Sequence, residues 1–188
     1  TLLDGRGRVP ADLGETVTRM RERGVLFAPA SGRQLGNLRR VLGPLADDAL
    51  LIAENGAYAV LGGRQIHDVL GRDAAARVIG AVRELAGAGS DVGAVLACKH
   101  MARIERRDAP FVEQAATYYA QLEIVDDLLA APLDDVFKIA VHDFADAESG
   151  SAPPLVAALP DLRAVVSGRH WIDVMSALTS KGRALAAA

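Results

Sequence analysis

The chain has 188 residues, 51% hydrophobic and 24% charged, which is enough for one large domain or two small ones with a buried core. The formal net charge is −3 with acids and bases interspersed, which argues against a nucleic-acid partner and against a membrane surface. The single cysteine, Cys98, excludes a disulfide framework and a thiolate metal site. We therefore expect a cytoplasmic protein without a membrane span.

The first seventy residues alternate helix and strand, which predicts an α/β fold with a parallel sheet. After a polar turn at residues 5–8, Val9-Pro10 opens a helix that stops at Gly24. Val25–Ala30 is an unbroken apolar run, which predicts a strand covered on both faces. Pro29 cannot donate to a ladder, so we place it at the end of that strand. The next predicted elements are a helix over 33–42, a strand over 50–53, a tight turn with positive φ over 54–56, and a hairpin of 57–61 with 65–69.

From about residue 72 the pattern changes to an α+β layer with a mostly antiparallel sheet. Apolar spacing predicts helices over 74–86, 110–119 and 154–159, with at most a short helix over 127–131. Short apolar runs predict strands over 94–99, 101–105, 122–125, 136–141, 162–166 and 171–175. A last helix opens near Ser180.

Ser31 and Gly32 stand where the predicted Val25–Ala30 strand gives way to the next helix. Ligands of open α/β sheets bind at the carboxyl ends of strands, and glycine lets the backbone approach a ligand closely. The N–H groups that open the helix favour an anion at the same place. Taken alone, however, Ser31 reads as an ordinary helix N-cap, because strand-Ser-Gly-helix turns are common.

Four short motifs follow one another in an order that resembles the haloacid dehalogenase (HAD) superfamily: Thr1-Leu2-Leu3-Asp4, Ala30-Ser31-Gly32-Arg33, Glu54-Asn55-Gly56-Ala57 and Ser180-Lys181-Gly182. More narrowly, the chain resembles the Cof-like phosphatases, whose α/β cap is inserted between the second and third motifs. The resemblance implies an α/β fold: a HAD-like Rossmannoid parallel-sheet core, incomplete here, with an inserted α+β cap domain. We expect residues 1–71 and 176–188 to form the core and residues 72–175 the cap.

The resemblance implies Mg²⁺-dependent hydrolysis of small phosphate esters through an aspartyl-phosphate, with a small phosphorylated metabolite as partner. Ser31 matches the second-motif hydroxyl, which hydrogen-bonds a phosphoryl oxygen. Lys181 matches the third-motif lysine, whose ammonium offsets the charges of the aspartate and the phosphate. Asn55 matches an asparagine that lines the site, although a turn asparagine explains it equally. Gly32 and Arg33 are expected to bind the phosphate or steady its loop, and none of these residues is expected to bind metal.

Family members open with Asp-x-Asp-Gly-Thr-Leu-Leu, of which this chain keeps only Thr1-Leu2-Leu3. The resemblance places the nucleophile and the acid/base before Thr1, a further acidic motif beyond the last helix, and most Mg²⁺ ligands outside these residues. We therefore expect the 188-residue chain alone to be inactive. Two alternatives stay open: a non-catalytic homologue that binds a phosphorylated metabolite or a partner, and a sugar phosphomutase on the same scaffold. The pattern leaves the phosphate ester and the oligomeric state open.

Several other polar residues are expected to be structural. The four histidines do not have zinc-ligand spacing: His67, His100, His142 and His170. Lys138 interrupts an apolar strand, so it needs either a partner or a path for its ammonium to reach solvent.

Overall fold

The computed structural model describes residues 2–4 and 8–188, so Thr1 and most of the predicted turn at 5–8 lie outside the described residues. The chain divides into two compact units. Unit 1 is Thr1–His67 with Ser180–Ala188, and unit 2 is Asp68–Thr179. Unit 2 begins four residues before residue 72 and ends four residues after residue 175, and the assignment of core and cap to the two units stays a prediction.

Unit 1 contains helices and a small sheet. Its helices are α1 (Leu13–Glu22), α2 (Leu35–Leu42) and α6 (Lys181–Ala187). Its strands, β1 (Leu51–Ala53), β2 (Tyr58–Leu61) and β3 (Arg64–His67), pair antiparallel in the order β1-β2-β3. Single 3-10 turns follow α2 at Gly43–Ala46 and β1 at Glu54–Gly56. The predicted helix over 33–42 and the predicted hairpin of 57–61 with 65–69 are thus confirmed, and both elements are shorter than predicted.

The predicted strand over Val25–Ala30 is wrong in its first half. Val25 and Leu26 are each 47% exposed, so this part of the run is not covered on both faces. Among the residues of unit 1 that the structure describes, parallel pairing is confined to the second half of the run, where one parallel bridge joins Ala30 to Ile52 of β1. The antiparallel hairpin supplies the other pairing of β1, and the sheet is therefore mixed.

Pro29 is the physical reason that this parallel pairing is incomplete. The Leu50 N–H donates to the Phe27 carbonyl at 3.0 Å, and the Ile52 N–H donates to the Pro29 carbonyl at 3.0 Å. The regular parallel ladder also requires the amide of residue 29 to donate to the Leu50 carbonyl, and proline has no N–H. The segment therefore lies beside β1 as an extended chain with one bridge.

Helices cover β1 on both faces. Leu51 packs with Leu38 and Leu42 of α2. Leu50 and Ile52 point the opposite way and pack in a second cluster with Ala184 of α6. An unbroken apolar run with helices on both sides is the pattern of a central α/β strand, as predicted for residues 50–53.

Unit 2 contains one six-stranded sheet in the order β6-β5-β4-β7-β9-β8. All neighbouring strands run antiparallel except β5 and β6, which are parallel. This confirms the prediction of a mostly antiparallel α+β layer. The strands are β4 (Val92–Cys98), β5 (Ala102–Ile104), β6 (Leu122–Ile124), β7 (Val136–Asp143), β8 (Leu162–Gly168) and β9 (Trp171–Ser176), and the helices are α3 (Arg72–Gly87), α4 (Ala109–Tyr118) and α5 (Ala152–Ala158).

The two faces of this sheet bury different clusters. Ile79 of α3 and Leu155 of α5 pack on one face, together with Cys98. Burial raises the pKa of the Cys98 thiol to about 12, so this cysteine is a packing residue. Phe111 and Ala115 of α4 pack on the other face.

Lys138 of β7 has a buried partner. Its ammonium lies 3.2 Å from the carboxylate of Asp173 on β9, and the two side chains are 5% and 7% exposed. The first of the two alternatives for Lys138 is therefore correct. Removing one member of a charge pair this far from water leaves the other buried without its counter-ion, which is costly.

Candidate active site

The loop after the Phe27–Ser31 segment is hydrogen-bonded to the turn after β1. The Ser31 N–H donates to the Ile52 carbonyl at 2.8 Å, and the Asn55 N–H donates to the Ser31 carbonyl at 3.0 Å. The Glu54 N–H donates to the Arg33 carbonyl at 3.1 Å. These bonds fix the Ala30-Ser31-Gly32-Arg33 segment against the Glu54-Asn55-Gly56 turn at the carboxyl end of β1.

Ser31 does not have the N-cap role that its local sequence suggests. The N-cap position of α2 is Gln34, three residues later. The Ser31 Oγ instead accepts a hydrogen bond from the Arg33 N–H at 3.1 Å, within its own loop. Because a serine hydroxyl accepts through its lone pairs and donates through its own proton, this contact leaves the O–H available as a donor.

The turn after β1 has three consecutive residues with positive φ, as predicted. Glu54, Asn55 and Gly56 have φ values of 47°, 59° and 104°. Asparagine tolerates this region better than most residues, whereas a φ near 100° favours glycine strongly. The turn brings the Asn55 side chain against Gly32, where an added Cβ would lie 2.8 Å from the Asn55 Oδ1.

Gly56 brings the start of α6 to the same turn. A Cβ added at Gly56 would lie 2.7 Å from the Lys181 backbone nitrogen and still closer to the Ser180 carbonyl. The Ser180 Oγ accepts from the Arg183 N–H at 3.1 Å and caps α6, so that Lys181 is the first residue of the helix. A side chain at Gly56 would push this helix start away from the turn.

The loop of Ser31 and Gly32 and the start of α6 therefore come together at the Glu54–Gly56 turn. Gly32 lies against the Asn55 side chain, and the backbone nitrogen of Lys181 lies close to Gly56. The structure thus brings Ser31, Gly32, Asn55 and Lys181 to one end of β1, and their roles stay predictions. Arg33 differs, because its guanidinium reaches along α2 to the Asn37 Oδ1 at 3.5 Å.

Sequence reasoning did not select Glu54, which the structure places in the same turn. Its side chain is only 2% exposed, although it is an ionisable residue. Charged residues are rarely buried this deeply without a reason in the structure. The signal that the sequence offered was the position of Glu54 directly after the apolar run of β1, where the chain turns before it reaches solvent.

The described residues do not form a magnesium site by themselves. Across residues 2–4 and 8–188, His, Cys, Asp and Glu side chains are not grouped in threes or more in a way that could hold a metal ion. In the same residues, the helices are too short or too polar to cross a membrane.

A ligand site at the carboxyl end of a buried strand, with helix starts directed at it, is typical of α/β enzymes. Comparison with protein families gives a more specific result. The sequence model described as haloacid dehalogenase-like hydrolase matches residues 1–188. The chain therefore belongs to the haloacid dehalogenase-like hydrolases, as its motif order predicted, and comparison with curated protein sequences gives no match.

Solved structures share the fold at low sequence identity. SMU.1108c from Streptococcus mutans superposes with a TM-score of 0.85 at 20% identity, over 100% of this chain and 71% of that one. A haloacid dehalogenase-like hydrolase from B. subtilis gives 0.79 at 17% identity, over 100% and 74%. The HAD subclass IIB sugar phosphatase BT4131 gives 0.74 at 15% identity, over 99% and 70%. These likenesses confirm the predicted HAD-like α/β fold.

Proposed function

We propose that this protein hydrolyses phosphate esters of small metabolites. The observation that carries the proposal is the convergence of Ser31, Asn55 and Lys181 at the turn after β1, from three segments far apart in sequence. A hydroxyl, a carboxamide and an ammonium are all donors to anionic oxygen, and together they suit a phosphoryl group. Membership of a hydrolase family and the fold shared with a sugar phosphatase support the same reaction class.

In the proposed site, Ser31 donates its O–H to a phosphoryl oxygen. Its Oγ is already held by the Arg33 N–H, and its backbone is bonded on both sides to the β1 edge and turn. The hydroxyl is therefore fixed before substrate arrives, and little reorganisation is needed as charge develops on the phosphoryl oxygens.

Lys181 supplies the positive charge. It is exposed at the first position of α6, and the glycine at 56 lets that helix start come close to the turn. Its ammonium reduces the repulsion between an anionic nucleophile and an anionic phosphate ester. This electrostatic role of Lys181 depends on where the ammonium lies, so displacement of α6 would weaken it, as would removal of the amine.

The nucleophile of the proposed reaction is an aspartate. Its carboxylate oxygen attacks phosphorus, the ester oxygen leaves with a proton, and water then cleaves the aspartyl-phosphate to release inorganic phosphate. Residues 1–188 contain no Asp-x-Asp pair, and the described residues supply no Mg²⁺ ligand set. We therefore propose that the attacking aspartate and the metal site lie outside these residues and that a chain of residues 1–188 alone does not turn over phosphate esters.

Unit 2 is, in this proposal, the α/β cap that determines which ester is accepted. Its place in the chain, between the segment of Asn55 and the segment of Lys181, supports that assignment. The substrate class is a small phosphorylated metabolite.

The proposal is tested with protein expressed from its complete reading frame and a panel of small phosphate esters, with MgCl₂ and with EDTA. Lys181→Ala should lower kcat/KM by about 100-fold or more, since it removes a charge at the reacting group. Arg183→Ala, which removes another exposed cation from the same helix, should leave kcat/KM unchanged. Equal rates for Lys181→Ala and the unmodified protein would refute the role of Lys181.

Product analysis separates the alternatives. Release of inorganic phosphate supports hydrolysis, whereas a rearranged sugar phosphate without phosphate release identifies a phosphomutase. Binding of a phosphorylated metabolite without any turnover, with or without Mg²⁺, identifies a non-catalytic binding protein. Either of the last two results overturns the proposal.

A further inference from the structure

The Asn55-Gly56 dipeptide has a chemical property that the proposed function does not use. An asparagine side chain can be attacked by the backbone nitrogen of the next residue, and glycine favours this attack because it has no Cβ to hinder the approach. The other asparagine of residues 1–188, Asn37, is followed by Leu38, whose side chain does hinder it. Asn55 is therefore the asparagine of these residues that is prone to lose its carboxamide.

The reaction closes a cyclic imide, and ring closure requires one arrangement of the backbone. The Gly56 nitrogen attacks the Asn55 Cγ, the Cγ–Nδ2 bond breaks, and the amide nitrogen leaves as ammonia with the proton that the Gly56 nitrogen loses. Water then adds to one of the two carbonyls of the imide and opens the ring to aspartate or to isoaspartate. For the ring to close, the Gly56 nitrogen must lie on the same side of the Cα–C bond as the Asn55 Cβ.

The turn holds Asn55 in a conformation that prevents ring closure. Its φ is 59° and its ψ is 15°. A ψ near zero nearly eclipses the Gly56 nitrogen with the Asn55 nitrogen about the Cα–C bond. Because Cβ is a different substituent of the same Cα, the Gly56 nitrogen then points away from the side chain. The two reacting atoms can meet only after rotation about ψ, which is the one soft rotation of that bond.

Contacts on both sides of the turn oppose that rotation. The Asn55 N–H donates to the Ser31 carbonyl at 3.0 Å. The Ala57 N–H donates to the Glu54 carbonyl at 3.0 Å, so the peptide between Asn55 and Gly56 lies between two fixed points. The start of α6 comes so close to Gly56 that even an added Cβ would overlap its backbone. Rotation about ψ therefore requires the turn to open.

We propose that Asn55 is a deamidation site at which the rate is set by opening of the Glu54–Gly56 turn. The closed turn protects the carboxamide, and the open turn reacts as an unfolded Asn-Gly sequence does. The product carries a carboxylate at the end of β1 where Ser31 and Lys181 lie, and this charge repels an anion. The resulting loss of phosphate binding rests on the proposed function, whereas the deamidation itself does not.

The test follows deamidation in the complete protein at mildly alkaline pH, either folded or unfolded in guanidinium chloride. Trypsin releases residues 41–64 as one peptide, in which Asn55 is the only side chain with a carboxamide, so the mass of this peptide reports one reaction. Deamidation of Asn55 should be at least about tenfold slower in the folded protein, because the turn must open first. The peptide of residues 34–39, which contains Asn37, is the internal control and should react slowly in both states.

Two variants distinguish opening of this turn from a general loss of stability. Ser180→Ala removes the cap of α6, the helix that lies against Gly56, and should raise the rate of Asn55 deamidation in the folded protein about fivefold. Asp108→Ala removes the matching cap of α4 in unit 2, where the carboxylate accepts from the Phe111 N–H, and should leave that rate unchanged. Equal rates in folded and unfolded protein, or equal rates in the two variants, overturn the proposal.

Inorganic phosphate is the probe for the consequence of the modification. Asn55→Asp carries the charge of the product, and Asn55→Ala removes the carboxamide without adding charge. In titration calorimetry of the complete protein, Asn55→Asp should bind inorganic phosphate about tenfold more weakly than Asn55→Ala. Equal binding by these two variants would refute the anion site of the proposed function, while the deamidation rates would still decide whether the turn protects Asn55.

Discussion

Gly56→Ala is the substitution that tests most directly how the candidate site is assembled. Two separate costs are expected. The backbone at Gly56 has a φ of 104°, where a residue with a Cβ is strained by about 1–3 kcal/mol. The new Cβ would also lie 2.7 Å from the Lys181 nitrogen, and since that atom belongs to the backbone, no rotamer change relieves the overlap. Such overpacking costs about 1–3 kcal/mol more.

Gly62→Ala is the matched control for this prediction. Gly62 lies in the hairpin between β2 and β3 with a φ of 53°, and a Cβ there would have open space around it. Gly62→Ala therefore introduces a backbone strain of about 1–2 kcal/mol without a steric overlap. Denaturant unfolding should show a total loss of about 2–6 kcal/mol for Gly56→Ala, at least 1 kcal/mol more than for Gly62→Ala.

Under the proposed function, the two glycine variants of the complete protein should also differ in turnover of phosphate esters. Relief of the overlap at Gly56 requires the start of α6 to move, and a displacement of about 1 Å at a catalytic group can cost about 100-fold in rate. Gly62→Ala should retain full activity. Equal losses of stability in the two variants would show that the close approach of α6 to the turn does not contribute, and the reasoning about this site would then fail.

Two further predictions concern buried charge in unit 2. Lys138→Met should cost about 3–5 kcal/mol in denaturant unfolding, because it leaves the Asp173 carboxylate buried without its cation, and the double variant with Asp173→Leu should recover most of that loss. A double variant no more stable than Lys138→Met would contradict this account. Burial lowers the pKa of the His142 imidazole below its usual 6.5, with the neighbouring His170 as the second cause. The unfolded chain therefore binds the proton more readily, so unit 2 should keep its stability above about pH 6.5 and lose it as the pH falls. Thermal melting between pH 7.5 and 5.5 should show this slope, and His142→Phe should flatten it; an unchanged slope would assign the effect to other groups.

The features predicted correctly from sequence are those that depend on neighbours in the chain. The positive φ values at Glu54–Gly56 follow from a polar Asn-Gly pair at the end of an apolar run. The helix start at Lys181 follows from Ser180, whose side chain satisfies the Arg183 N–H. The family could be predicted because each motif is a short local pattern and the motifs follow one another in a characteristic order along the chain.

The features that sequence did not reveal depend on partners far along the chain. Lys138 needs a counter-charge, but only the register of β7 against β9 selects Asp173, 35 residues away. A register shift of one residue would turn that carboxylate to the other face of the sheet. Likewise, apolar character alone did not reveal that Val25 and Leu26 are exposed, because burial depends on what packs against them.

Pro29 shows that the absence of one amide N–H can interrupt a strand that the hydrophobic pattern predicts. The Leu50 and Ile52 amides already donate to the segment that precedes Ser31, so the two segments are in parallel register. Pro29→Ala should supply the missing amide, which would donate to the Leu50 carbonyl and complete the ladder. The new hydrogen bond contributes about 0.5–1.5 kcal/mol, and the loss of proline's restriction of the unfolded chain costs about 0.4–1 kcal/mol. The free energy of unfolding should therefore change by less than about 1 kcal/mol, although the segment becomes a continuous strand.

Amide hydrogen exchange followed by NMR distinguishes this outcome from a simple loss of proline. In the Pro29→Ala variant, the new amide at position 29 should exchange slowly, as the Ile52 amide does, because both donate within the same ladder. Exchange at the rate of an unprotected amide would mean that the segment lies too far from Leu50 to bond. Proline would then not be the cause of the interrupted strand, and the exposure of Val25 and Leu26 would be the better explanation.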